Sequence, residues 1–186
     1  MVWSLVLHGG AGPIRGRTYD AEEAHMAQLL KRGAAMLDEG ACALDVVTAM
    51  VTELEDCGHH VAGRGSSPNR NGVYELDAAI MDGTNRKAGG VGALVGFRSP
   101  IGVARALMET SPHVLLVGEG AIAFAKNAGC EEISDPGAYY TPAVTNPVET
   151  ATLPMAQWAR LRAIWQAVGG SHVNRWPFEQ NARTCG

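Results

Sequence analysis

The residues best suited to chemistry lie in three short stretches. His8-Gly9-Gly10-Ala11-Gly12 follows a brief apolar run. A glycine loop in that place can aim backbone N–H groups at an anion or an oxyanion, or it can simply be a close-packed turn that only glycine fits. No G-x-S-x-G nucleophile elbow accompanies it, since Gly65-Ser66-Ser67 has the wrong spacing. Glu75, Asp77 and Asp82 lie on or beside one predicted strand. Paired carboxylates can do acid–base work, but hydrogen bonding to neighbouring loops is the more economical expectation. His59-His60 offers imidazoles, yet adjacent residues point apart and no third ligand lies nearby in sequence, so no transition-metal site is expected. The chain has no Walker loop and no dinucleotide fingerprint.

The elements that must position these residues follow from periodicity. Trp3–Leu7 reads as a buried strand entering the glycine loop. Ala24, Leu29, Leu30, Ala34 and Leu37 space out a helix over Asp20–Glu39, with Gly40 as its stop. A second helix runs from about Ala43 to Asp56, and Gly58–Gly72 reads as a loop. Val73–Met81 alternates into a strand that turns at Asp82-Gly83. Ala88–Gly96, small and β-branched, suits a strand packed closely on another layer. A helix opening at Pro100, a strand at Val114–Val117 and a helix over Gly120–Asn127 complete the ordered pattern. From about 131 to 154 the composition is polar and proline-bearing, which predicts a mobile linker.

Composition bounds the function. The 186 residues suffice for one domain with a real core, and 46% hydrophobic content suits an α/β chain. A net charge of −4 argues against nucleic acid and membrane surfaces as partners. The start of the chain lacks the basic flank and apolar length of a signal peptide, and no run approaches a membrane span. The four cysteines have no regular metal spacing and read as reduced thiols, so a cytoplasmic location is expected.

Five blocks, taken together, resemble the plant-type L-asparaginase/isoaspartyl peptidase family of N-terminal nucleophile hydrolases. They are HGGAG, LDVVTAMVTELEDC, AGRGSSPNRNGVYELDAAIMDG, KAGGVGAL and ARALMETSPHVLLVGEGAIAFA, in the family's order across residues 3–144. The resemblance implies a mixed α/β (α+β) chain forming the front half of an αββα four-layer sandwich, incomplete by itself. It implies a precursor that cleaves itself before a threonine, which then hydrolyses the side-chain amide of asparagine or a β-aspartyl dipeptide. Dimers of αβ units are the family's assembly. Residues 1–154 correspond to the α subunit, so no catalytic residue is expected among them. His8, Gly9, Gly10, Ala11 and Gly12 match the first-strand loop near the active site. Backbone carbonyls of Leu54, Glu55, Cys57, His60, Ala62 and Arg64 match the family's structural sodium site, and no other cofactor is implied. One departure is Val61, where many members carry an asparagine close to the nucleophile; valine has no amide to offer.

Beyond Pro154 the character changes. Residues 1–154 carry 11 Lys/Arg against 18 Asp/Glu, a formal −7; residues 155–186 carry 4 against 1, a formal +3. Three of the four tryptophans fall in that tail. Reading from the third base of the Met155 codon forces Gly at two positions and permits GTVGAV, the family's cleavage sequence. A different shift at His172 permits TSTGGxxx[KR]xPGRV, a family β-subunit signature, with Gly dictated by Trp176 and Lys or Arg dictated by Gln180-Asn181. The tail is therefore expected to be a translation out of frame, and this chain inactive alone. The alternative expectation is a non-catalytic protein, or the partner of a separate β-like chain, whose tail forms an amphipathic helix.

Overall fold

The computed structural model describes residues 2–10 and 18–141, all within the first of two compact units, Met1–Thr145. The elements are α1 (Asp20–Asp38), α2 (Ala43–Asp56), a single 3₁₀ turn (Gly63–Gly65), β1 (Leu76–Met81), β2 (Ala88–Leu94), α3 (Pro100–Thr110), β3 (Leu115–Val117), α4 (Glu119–Asn127) and a short α5 (Pro136–Tyr139). The architecture is mixed α/β, with one three-stranded sheet in the order β1-β2-β3 among the described residues. The β1–β2 pair is antiparallel and the β2–β3 pair, joined through α3, is parallel.

Local chemistry sets the element ends. Gly40 (φ 89°) follows α1, and the Gly40 and Ala41 amides donate back to the Leu37 and Met36 carbonyls. That pairing satisfies two orphan carbonyls of the last turn and needs a residue at ease with positive φ. Ser99 caps α3 by accepting from the Gly102 amide, with Pro100 in the first turn. β1 begins three residues later than alternation predicts. The Asn69 side chain accepts from the amides of Asn71 and Val73 and holds that stretch in a turn instead.

The larger core lies between the sheet and α3, around Phe97, Leu94, Val91, Val103, Leu107 and Ile80. Glycines let the layers close. A Cβ on Gly89 would lie 2.3 Å from the Ala104 carbonyl oxygen of α3, so β2 packs backbone to backbone, as its small residues predict. The smaller core pairs α1 with α2 through Leu29, Val46 and Met50, with Leu5 and Leu7 laid against it.

Trp3–Leu7 is not a strand. Nor is it buried throughout, since Leu5 and Leu7 are half-buried while Val6 is 87% exposed. A strand also needs a hydrogen-bonded neighbour, and among the described residues the segment pairs with none. It is held instead by packing on α1 and α2 and by the Trp3 indole N–H donating to Asp38 at 2.9 Å. Of the stretch 131–154 expected to be a linker, residues 131–141 are described. Glu132 bridges to Phe97, Arg98 pairs with Glu131, and Tyr140 is buried and stacked on Tyr74 at 3.8 Å. Residues 142–154 and the whole tail 155–186 lie outside the described residues.

Asp77 has a visible structural task. Leu76 pairs with Leu94 and Ala78 with Val91, so Asp77 faces a bulge in β2. There Ala93 takes φ 48°, an uncommon conformation for a residue with a side chain, and its amide donates to Asp77 Oδ1 at 2.8 Å. Asp77→Ala is expected to lower stability by about 1–2 kcal/mol, and Asp77→Asn, which keeps an acceptor, by clearly less. Urea unfolding of both variants checks this; equal midpoints would refute the capping role.

Candidate functional site

The three chemically suggestive stretches resolve into two structural groups. The acids on and beside β1 are each engaged in loop architecture. Glu75 accepts from Asn69 Nδ2 at 2.8 Å, and Asp77 holds the bulge. Asp82 accepts from the Thr84 amide and hydroxyl and from Asn85 Nδ2, which keeps its carboxyl below the usual range. These bonds account for all three acids without invoking acid–base chemistry.

The second group joins what the sequence presents separately. The glycine segment 8–10 is docked against the loop that follows α2. His60 Nδ1 lies 2.9 Å from the Gly9 carbonyl oxygen, and a Cβ on Gly9 would sit 3.3 Å from the same ring. The Gly10 amide donates to His8 Nδ1 at 3.3 Å, so this N–H is not free to face an anion. Ala11 and Gly12 lie outside the described residues.

Two glycines of the stretch after α2, Gly63 and Gly65, pack directly on backbone carbonyl oxygens. A Cβ on Gly63 would lie 2.5 Å from the Glu55 carbonyl oxygen. One on Gly65 would lie 2.0 Å from the His60 carbonyl oxygen and 3.1 Å from that of Gly58. Of the six carbonyls the resemblance singles out, those of Glu55, Cys57 and His60 accept no main-chain hydrogen bond among the described residues. The Ala62 carbonyl accepts from Gly65, that of Arg64 from Thr141, and that of Leu54 from the Cys57 thiol. Each of these retains a second lone pair. Carbonyl oxygens with free lone pairs are the donors a hard cation of modest charge takes. Val61 is 63% exposed.

Glu55 anchors this loop to the core. Its side chain is 4% exposed and reaches across to the start of α3. There Oε1 accepts from the Ile101 amide and Oε2 from the Ser99 hydroxyl, both at 3.0 Å. Burial pushes its pKa up to about 7, the two hydrogen bonds oppose this, and the neighbouring Asp56 adds to the rise. Asp56 in turn pairs with Arg98, and Tyr139 donates to it at 3.4 Å, which ties α5 to the same corner.

Sequence reasoning missed two features here. It gave no role to the Glu55 side chain, and it placed no third ligand beside His59-His60. The fold brings His25 of α1 and Cys57 up to His60, with one potential ligand atom from each residue within 4.8 Å of the others. The Cys57-x-x-His60 spacing was the available signal; His25 is remote in sequence and gives none. Among the described residues no helix is long and apolar enough to cross a membrane, and Cys42, Cys57 and Cys130 are unbridged.

Comparison with known proteins gives a consistent answer. The chain matches the asparaginase family over residues 1–164. It is 43% identical over 144 residues to the isoaspartyl peptidase of Salmonella typhimurium, an alignment covering 75% of this chain and 46% of that protein. It is 42% identical over 130 residues to the human isoaspartyl peptidase/L-asparaginase, covering 69% and 42%. It is 42% identical over 137 residues to the plant-type L-asparaginase of Thermococcus kodakarensis, again covering 69% and 42%. The chain thus spans less than half the length of these relatives.

Proposed function

This chain belongs to the plant-type L-asparaginase/isoaspartyl peptidase family of N-terminal nucleophile hydrolases, and we propose that it supplies the α-subunit side of an amidohydrolase acting on asparagine or β-aspartyl peptides. In this reading the nucleophilic threonine comes from a β portion, and the chain by itself hydrolyses neither substrate. The observation that carries it is an open sheet. β3 presents Leu115 at 60% and Val117 at 57% exposure, and the alternating segment 2–10 lies unpaired among the described residues. An edge strand with exposed apolar side chains, together with an extended segment that has no strand partner among the described residues, fits the front half of an αββα sandwich whose remaining strands are contributed elsewhere.

Within that enzyme the described residues position rather than react. The carbonyl cradle Leu54–Arg64 would hold a sodium ion, and the ion would fix the loop's shape. His60, through Gly9, would pass that rigidity to the glycine segment 8–10 near the reaction centre. Small polar substrates and a dimer of αβ units follow from the same family reading. The tail is best explained as an out-of-frame translation, although the family match continues to residue 164, past the compositional break at Pro154. The nucleotide sequence over codons 150–186 checks this directly; absence of GGC-ACN-GTG in the shifted frame defeats it.

The activity test uses the purified full chain, assayed for ammonia from L-asparagine and for cleavage of a β-aspartyl dipeptide. No turnover above blank is expected alone. Co-expression with the C-terminal part of the Salmonella relative, beginning at its nucleophile, is expected to yield turnover. Robust hydrolysis by the chain alone overturns the α-portion reading. A stable complex that never turns over favours a non-catalytic partner instead.

A further inference from the structure

The cluster that joins α1 to the loop after α2 has the marks of a soft-metal site. His25, Cys57 and His60 each present a ligand atom within 4.8 Å of the other two. Two ring nitrogens there, His25 Nδ1 and His60 Nε2, are buried and have no hydrogen-bond partner. Buried polar atoms without partners are uncommon, and two in one cluster ask for an occupant. The tautomer of His60 follows from its neighbour. A carbonyl oxygen can only accept, so His60 Nδ1 carries the proton it donates to Gly9, and Nε2 is left with a bare lone pair. A ligating imidazole is commonly oriented in this way, with its other nitrogen donating to a backbone carbonyl. Burial, followed by the nearby His59 and His60 rings, lowers the pKa of His25, which favours the neutral, ligating form. Cys57 Sγ accepts from the His59 amide at 3.4 Å, which holds the sulfur beside the two rings.

We propose that His25, Cys57 and His60 bind one thiophilic divalent cation of the zinc class, which clamps the loop Leu54–Arg64 to α1. Two nitrogens and a sulfur are the donor set such an ion takes, and a fourth tetrahedral position remains for water. Tetrahedral bonding brings ligand atoms to about 3.5 Å of one another, so the side chains close by roughly 1 Å on binding. The step is a proton exchange. The metal–sulfur bond forms, the Cys57 S–H bond breaks, and the proton leaves to solvent. Cys57 then stops donating to the Leu54 carbonyl, where the thiol now sits at 3.3 Å. This site is made of side chains and selects a soft ion; the carbonyl cradle beside it selects a hard one, so either can exist without the other.

Cobalt(II) added to the full chain is the test, with Cys42, Cys130 and Cys185 each replaced by serine so that Cys57 is the remaining thiol. One equivalent is expected to bind with a thiolate-to-cobalt charge-transfer band and the strong visible bands of tetrahedral coordination. Zinc should displace it. Cys57→Ser should abolish the charge-transfer band, and His25→Ala or His60→Ala should weaken zinc binding at least about tenfold. Circular dichroism verifies folding; if Cys57→Ser does not fold, the two histidine variants carry the test. No band in the single-thiol chain overturns the proposal. So does zinc affinity unchanged by both histidine variants. Sodium on the carbonyl cradle produces no such band, and the readout needs no enzymatic activity, so the two ideas fail separately.

Discussion

Gly65→Ala is expected to unfold the loop after α2 and to cost roughly 3 kcal/mol or more, a large share of the stability of a small domain. The reason is spatial rather than conformational. An added Cβ would stand 2.0 Å from the His60 carbonyl oxygen and 3.1 Å from that of Gly58. Both are backbone atoms, so no rotamer change relieves the clash, and residues 58–60 must move as a unit. That displacement would pull His60 away from Gly9 and so release the glycine segment 8–10. It would also shift the His60 and Gly58 carbonyls and separate His60 from Cys57 and His25. Thermal unfolding measures the loss, and limited proteolysis locates it at residues 58–65. Gly120→Ala is the control: it adds a methyl group in α4 with nothing within 4 Å, and its expected effect is a gain of up to about 1 kcal/mol. If the two substitutions shift the melting temperature equally, the loop is not packed as described.

The contrast between those two glycines shows what a sequence can carry. Periodicity and punctuation are local, and they located α1, α2, α3 and α4 to within a residue or two, with Gly40 as the stop of α1. The same logic placed a buried strand at Trp3–Leu7 because a short apolar run ended by a glycine cluster reads as one. Pairing is not local, and among the described residues the segment packs on α1 and α2 without a strand partner. The acids on and beside β1 were legible as structural because their partners lie within a few residues, or across one hairpin. Glu55 was not legible. Its partners Ser99 and Ile101 are 44 and 46 positions away, and only the packing of α2 on α3 brings them together. His25 escaped for the same reason, whereas Cys57-x-x-His60 was present in the sequence and lacked only its third member. The proposed carbonyl cradle would be a property of the backbone path. No side-chain pattern encodes it, and family resemblance was the sole route to it.

The second large effect is set by pH and centres on Glu55. A free glutamate titrates near 4.5, and burial raises this one to about 7 in the folded chain. Between those values the folded state keeps a proton that the unfolded state has lost. The group's contribution to stability is therefore full below about pH 4.5 and disappears as the pH climbs through about 7. On that shift the loss is about 3 kcal/mol at most. Position explains why burial dominates. The carboxyl leaves the C-terminal end of α2, where negative charge is unwelcome, and its compensation is two donors at the start of α3 rather than a cation. Glu55→Gln removes the ionisation while keeping shape and one carbonyl acceptor. Its stability is expected to vary less with pH, matching the wild type in acid and exceeding it near pH 8. Glu55→Ala leaves the Ile101 amide unpaired and opens a void, and it is expected to cost about 2–4 kcal/mol at every pH. Denaturant unfolding of the three proteins from pH 4.5 to 8 decides the matter. Parallel profiles for wild type and Glu55→Gln would mean that Glu55 stays charged, with its two donors outweighing burial. Profiles that coincide in acid and separate as the pH rises would make the joint between α2 and α3, and with it the loop after α2, sensitive to pH near neutrality.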